Sequence, residues 1–214
     1  MSARSSGLIE ARRLMETQNS GVPENYLLEP VVRGIPRVDK AQWFAWVLSE
    51  HWDQNRGARS VIGDLVSNAK YHADSNSLSR LGPIVRHAAL QLRQLPNNIH
   101  SLAKIDVVMA IPFFGSKTIS VPHSVADEIS EAFSIPNYSD LIKKKSSTGQ
   151  AKLNPVVNPN VYEALRRLDG LNVLLVDDLF RTGSTLESVA IKVREAGAKS
   201  VTGFCLTKAY KGLN

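Results

Sequence analysis

The chain has 214 residues, 43% of them apolar and 21% charged, with a formal net charge of +6. These values allow one large domain or one domain with an appendage, and are ordinary for a globular protein. No apolar run reaches the length of a membrane span.

The positive residues are dispersed rather than gathered in one tract. That favours a ligand of small polyanionic type, or a merely soluble surface, over a nucleic acid. Cys205 is the only cysteine, set in the apolar-flanked run 201–206, so it reads as a small buried hydrophobe in a strand. No intrachain disulfide can form, and a reducing cytoplasm is the expected setting. The first 20 residues carry Arg4, Arg12 and Arg13 but no apolar core of a signal peptide, so no secretory leader is expected.

In chain order, residues 1–38 read as a polar N-terminal arm, broken by Gly21, Pro23, Pro30, Gly34 and Pro36, with room for a short helix around residues 7–18. Residues 39–100 read as a helical region packed on the core. Its first helix is expected over residues 41–48, capped by Asp39, with Trp43, Trp46 and Val47 on one face as core. A second spans residues 59–72, with Val61, Ile62, Leu65, Val66 and Ala69 in a stripe, and a third spans residues 78–95, started or kinked by Pro83.

Residues 101–214 read as the α/β part. Residues 105–112 are expected to be its first buried strand, followed by Phe113-Phe114-Gly115-Ser116-Lys117-Thr118. That ending lacks the Gly-Lys-Ser/Thr order of a P-loop, which argues against an ATPase. Residues 121–133 form an amphipathic crossover helix. Lys143, Lys144 and Lys145 then open the densest basic run, continued by flexible polar residues that include Thr148 and Gln150. The run is either a solvated loop or a lid that closes over a polyanion. A short helix is expected over residues 160–168, and the last strand over residues 200–207.

The most informative stretch is Val173-Leu174-Leu175-Val176-Asp177-Asp178-Leu179-Phe180-Arg181-Thr182-Gly183-Ser184-Thr185. Four apolar residues without a polar face fit a strand buried on both sides. From Leu186 the apolar spacing becomes helical, so the hydroxyl-rich loop ends at a helix N-terminus. Such a terminus presents unpaired N–H groups and a partial positive charge that suit a phosphate. Gly183 permits close approach, and Thr182, Ser184 and Thr185 add hydroxyls. Asp177 and Asp178, at the carboxyl end of the strand, suit sugar hydroxyls or water around a metal ion. The simpler alternative, a capped turn, needs one polar residue where this turn gathers two acids and three hydroxyls.

Residues 173–185 resemble the signature of the type I phosphoribosyltransferases: an apolar strand, two acids, two further residues and a loop ending Thr-Gly-x-Thr. Arg181 departs from it, standing where a small hydroxyl residue is common; it either adds charge to the phosphate site or points to solvent. Within that fold the chain is most similar to the ComF family, through Ala69-Lys70-Tyr71-His72 and the order Thr148, Gln150, Leu153, Asn160, Tyr162 after the basic run. The family's cysteine-rich zinc segment is missing, as is an arginine near Asn158 and Pro159. None of the five histidines stands at metal-ligand spacing from another ligand.

The resemblance implies an α/β fold of type I phosphoribosyltransferase kind, a parallel sheet flanked by helices behind a mainly helical N-terminal region. It implies transfer of phosphoribosyl from phosphoribosyl pyrophosphate to a nitrogen acceptor with release of pyrophosphate. Mg²⁺ would be bound mainly through that substrate, with no protein metal ligand assigned. Asp177 and Asp178 would orient the ribose; Arg181, Thr182, Gly183, Ser184 and Thr185 would hold the 5′-phosphate. Gly115, Ser116 and Lys117 would meet the pyrophosphate, although Lys117 reads equally as a solvated turn residue. The alternative is a non-catalytic module of the same fold that binds phosphoribosyl pyrophosphate or a nucleotide beside a DNA-handling partner protein. Direct nucleic-acid binding is disfavoured because the basic run has no interleaved aromatics beyond Tyr138. Self-association is left open.

Overall fold

The computed structural model describes residues 29–34, 42–53, 57–95, 102–113, 120–145 and 157–209. The expected helix at residues 7–18, the Asp39 cap and five expected site residues (Gly115, Ser116, Lys117, Thr148 and Gln150) lie outside them.

A five-stranded sheet forms the centre. Its strands are β1 (Glu29–Gly34), β2 (Gln42–Glu50), β5 (Val107–Ala110), β8 (Asn172–Phe180) and β9 (Ser200–Lys208), in the order β1-β2-β9-β8-β5. The β2–β9, β8–β9 and β5–β8 pairings are parallel; β1 adds antiparallel to β2 at one edge. Two short antiparallel ribbons accompany the sheet. One joins β3 (Trp52–Asp53) to β4 (Ala58–Arg59), and the other joins β6 (Ile142–Lys144) to β7 (Tyr162–Ala164).

Helices cover both faces, as parallel strands buried on two sides require. On one face lie α1 (Val61–His72), α2 (Ser75–Gln94) and α3 (Val121–Phe133). They pack on Phe44, Trp46, Leu48, Leu174, Val176, Phe204 and Leu206. On the other face α4 (Ser184–Glu195) and the β6–β7 ribbon pack on Ala45, Val47, Val173, Leu175 and Cys205. Gly203 lets β9 fit here, since a Cβ would stand 2.5 Å from Leu186 Cδ2 and 2.7 Å from Ala45 Cβ.

The helix expected over residues 41–48 is corrected to strand β2. Its buried side chains alternate between the two cores, with Phe44, Trp46 and Leu48 on one and Ala45 and Val47 on the other. That is a period of two, and aromatic and β-branched residues favour the pleated form. The strand expected at residues 105–112 is shorter, Val107–Ala110, and is preceded in the sheet by β1 and β2. The helix expected at residues 160–168 is corrected to a single 3₁₀ turn, Pro159–Val161, running into β7. The helix over residues 121–133 is found as expected. Ser60 caps α1 by accepting from the Gly63 N–H, and Asp74 caps α2 through the N–H groups of Asn76 and Ser77. Among the described residues no helix is long and apolar enough to cross a membrane.

Candidate phosphoribosyl site

Strand β8 runs on through both acids to Phe180, so Asp177 and Asp178 lie within the strand rather than after it. Side chains alternate along a strand, and the two carboxylates therefore face opposite sides of the sheet. This separates what the sequence presents as one acid pair.

Asp178 follows Leu174 and Val176 onto the face covered by α1. It is 6% exposed, and the Lys70 ammonium on α1 stands 2.6 Å from its Oδ2. Burial pulls the Lys70 pKa down, but the Asp178 charge and hydrogen bond outweigh it, and the net shift is upward. The Asp178 carbonyl accepts from the Thr207 hydroxyl at 3.1 Å, and His51 Nδ1 lies 3.1 Å from the same hydroxyl. Thr207 spends its one proton on Asp178, so Nδ1 is the donor in the His51 contact. Burial, then the Arg59 charge, lowers the His51 pKa, which favours the neutral ring.

Asp177 follows Val173 and Leu175 onto the α4 face. Its Oδ1 accepts from the Asp178 N–H at 2.9 Å. Burial, and next the Asp178 charge, push its carboxyl up to about 7. Cys205 is its register partner on β9, and burial, then the charges of Asp177 and Asp178, raise the thiol pKa and keep it protonated.

The loop after β8 turns at Gly183, whose φ of 78° lies in the left-handed region. Gly183 caps α4 without a side-chain hydrogen bond, and the first helical bond runs from the Glu187 N–H to the Gly183 carbonyl. Thr182 and Ser184 hydroxyls lie 2.9 Å apart. The Ser184 N–H reaches Thr182 Oγ1 at 3.4 Å, and the first turn of α4 stands at a cavity where its N–H groups favour an anion.

That cavity, of about 170 Å³, is lined by Asp177 and by residues 181–186, with Lys144 and Tyr162 from the ribbon and Cys205 beneath. The ribbon faces the first turn of α4 because the Asn158 N–H donates to Ser188 Oγ at 2.9 Å, and Ser188 donates to the Ser184 carbonyl at 2.6 Å. Lys144 lies opposite Tyr162 in the ribbon, its ammonium 5.8 Å from the ring centroid, and burial lowers its pKa.

The structure therefore brings Asp177, Arg181, Thr182, Gly183, Ser184, Thr185 and Lys144 to one cavity. It does not bring Asp178, which is held on the other face. Lys143 is exposed on the ribbon, and Lys145 makes a surface pair with Glu163 at 3.6 Å. Lys70, Tyr162, Cys205 and Ser188 are not among the site residues expected from sequence. Lys70 had a signal: it continues the Ile62, Val66 spacing on the buried stripe of α1, where a lysine requires a partner. Among the described residues no cluster of three or more His, Cys, Asp or Glu could hold a metal ion.

A comparison with curated proteins found no significant match. Among solved structures, a purine phosphoribosyltransferase from Pyrococcus horikoshii is similar at 24% identity and a TM-score of 0.42, over 62% of this chain and 82% of that one. A hypoxanthine-guanine phosphoribosyltransferase from Bacillus anthracis gives 20% and 0.42, over 61% and 70%. The glutamine phosphoribosylpyrophosphate amidotransferase of Bacillus subtilis gives 22% and 0.38, over 58% of this chain and 26% of that one. Residues 81–212 match the model of the phosphoribosyl transferase domain, and with more than half of its length in that match the chain belongs to the phosphoribosyl transferase domain family.

Proposed function

We propose that the chain transfers phosphoribosyl from Mg²⁺-bound phosphoribosyl pyrophosphate to a nitrogen acceptor, and that within its family it is of ComF type. The observation that carries this reading is the α4 N-terminus, which opens into a cavity shared with Asp177 and Lys144; Gly183 supplies no side-chain cap there, and the Ser184 N–H reaches a nearby side chain, Thr182 Oγ1 at 3.4 Å. The first turn of α4, with the Thr182, Ser184 and Thr185 hydroxyls, binds the 5′-phosphate, and Arg181 adds a charge at the rim. Asp177 accepts from the ribose hydroxyls. Asp178 acts from behind the strand, fixing the Asp177 backbone through its own pairing with Lys70.

In the reaction the bond from the anomeric carbon to the pyrophosphate oxygen breaks, its electron pair leaving with pyrophosphate. The acceptor nitrogen forms the new bond and loses its proton to solvent. Positive charge on the ribose is stabilised by Asp177, and negative charge on pyrophosphate by Lys144 and, from outside the described residues, Gly115, Ser116 and Lys117. Thr148 and Gln150 belong to the loop proposed to close over it. Mg²⁺ would keep several of its waters and be held through the substrate phosphates. The carboxylate and hydroxyl oxygens of the cavity are hard donors that suit the water shell of such an ion. When bound it would neutralise charge on the leaving group.

One observation favours the second reading, a module that binds phosphoribosyl pyrophosphate or a nucleotide without turnover, beside a DNA-handling partner. Only one acid of the expected pair faces the cavity. One acid and a phosphate loop suffice to hold a sugar phosphate. Pyrophosphate release, followed with Mg²⁺, phosphoribosyl pyrophosphate and a panel of purine and pyrimidine bases, separates the two. Release that depends on one base and is lost in Asp177→Ala supports transfer. Saturable ligand binding with no release above the solvent rate for any base supports the binding module.

A further inference from the structure

Tyr162 is 4% exposed and lines the cavity, yet its phenol hydroxyl makes no hydrogen bond with the described residues. A buried tyrosine hydroxyl ordinarily finds a partner, because leaving it unpaired costs its desolvation. The ring is held by packing in the same core as Ile142, Leu186 and Val189, and by its place opposite Lys144 in the ribbon. Packing therefore holds the Tyr162 side chain in the cavity wall, while its hydroxyl has no polar contact among the described residues.

Its surroundings narrow what would complete it. Asp177 from β8, Lys144 from β6, Arg181 from the loop and Cys205 from β9 share the cavity. Burial, then the nearby Asp177 charge, push the phenol pKa up to about 12, so it carries its proton and acts as a donor. A phosphate oxygen could accept from it but, once ionised, has no proton to donate to the Asp177 carboxylate. A group that accepts from a phenol and donates to a carboxylate is an alcohol.

We propose that Tyr162 is a specificity-determining ligand contact: its O–H donates to a secondary hydroxyl of the bound sugar, and that hydroxyl donates in turn to Asp177. The site thereby selects a ribose that carries this hydroxyl over its deoxy counterpart. This rests on the phosphoribosyl reading and adds to it a residue and a selectivity.

The test uses the full chain, as wild type and as Tyr162→Phe, which keeps the ring and removes only the hydroxyl. Binding of ribose 5-phosphate, its 2-deoxy and 3-deoxy analogues, and inorganic phosphate is measured by calorimetry. Wild type is expected to bind ribose 5-phosphate at least about tenfold more tightly than one of the deoxy analogues. Tyr162→Phe is expected to lose about five- to tenfold for ribose 5-phosphate, to bind that analogue almost as before, and to leave inorganic phosphate unchanged. Equal affinity of both proteins for all the sugar phosphates overturns the Tyr162 contact while leaving the phosphoribosyl reading intact. A wild type that binds phosphate but gains nothing from any sugar overturns that reading, and the Tyr162 contact with it.

Discussion

Lys70→Met is expected to lower the stability of the protein by about 3 kcal/mol at neutral pH, a fall in Tm of roughly 6–12 °C for a chain of this size. The reason is the asymmetry of buried ion pairs. Asp178 is 6% exposed, and the Lys70 ammonium 2.6 Å away is its salt-bridge partner. Removing the lysine leaves a carboxylate without its partner in a low-dielectric face between β8 and α1. The double variant Lys70→Met/Asp178→Asn removes both charges and is expected to recover most of the loss. A thermal melt of the two variants beside wild type decides it. A Lys70→Met protein as stable as wild type would show that the pair contributes nothing. The raised Lys70 pKa sets the pH window. Its contribution is complete below the ordinary lysine range and is lost as pH rises through the raised value, so no loss from this pair is expected near neutrality.

Asp177→Asn is expected to do the opposite to stability and to damage function. The Asp177 carboxyl titrates near 7 in the fold against 3.8 as its ordinary value. The folded state therefore holds a proton that the unfolded chain has released. This favours the fold fully below about 4 and is lost as pH rises to about 7. At pH 8 the wild type carries the cost of an ionised, half-buried carboxylate. Asn removes it, for a gain on the order of 2 kcal/mol once water at the cavity mouth screens the charge. The Tm difference between variant and wild type should then grow from pH 5 to pH 8. Sugar-phosphate affinity should fall about tenfold or more, as for a functional group kept at the expense of stability. A variant whose Tm tracks wild type at every pH would show that Asp177 is solvated and ordinary.

The two acids also mark how far the sequence could be read. The strand, the loop with its Thr182, Gly183 and Ser184, and helix α4 were legible, because an apolar run, a glycine and a change to helical spacing are all local signals. Which face each carboxylate takes was not, because it depends on where the strand stops, and β8 continues through both acids to Phe180. Strand β2 was missed for a related reason. Residues 43–48 are as continuously apolar as residues 173–176, but continuous burial satisfies helical and strand spacing alike, and the partner that decides it, β9, lies more than 150 residues away in the register Phe44 with Thr202. The β6–β7 ribbon is hidden behind the helix expected over residues 160–168, which the pairing of Lys144 with Tyr162 overrides. Lys70 meets Asp178, and Tyr162 reaches the cavity, only through such tertiary placement.

Calorimetric titration of Mg²⁺-phosphoribosyl pyrophosphate into wild type and Gly183→Val decides whether the cavity at the α4 N-terminus binds a phosphoribosyl group. Valine cannot take a φ of 78° without strain and puts a branched side chain at the phosphate loop. Saturable binding at one site per chain is expected in wild type, weakened at least about tenfold in a Gly183→Val protein that keeps its helical circular dichroism. No saturable heat in wild type, or equal affinity in the two proteins, would contradict a phosphoribosyl site there.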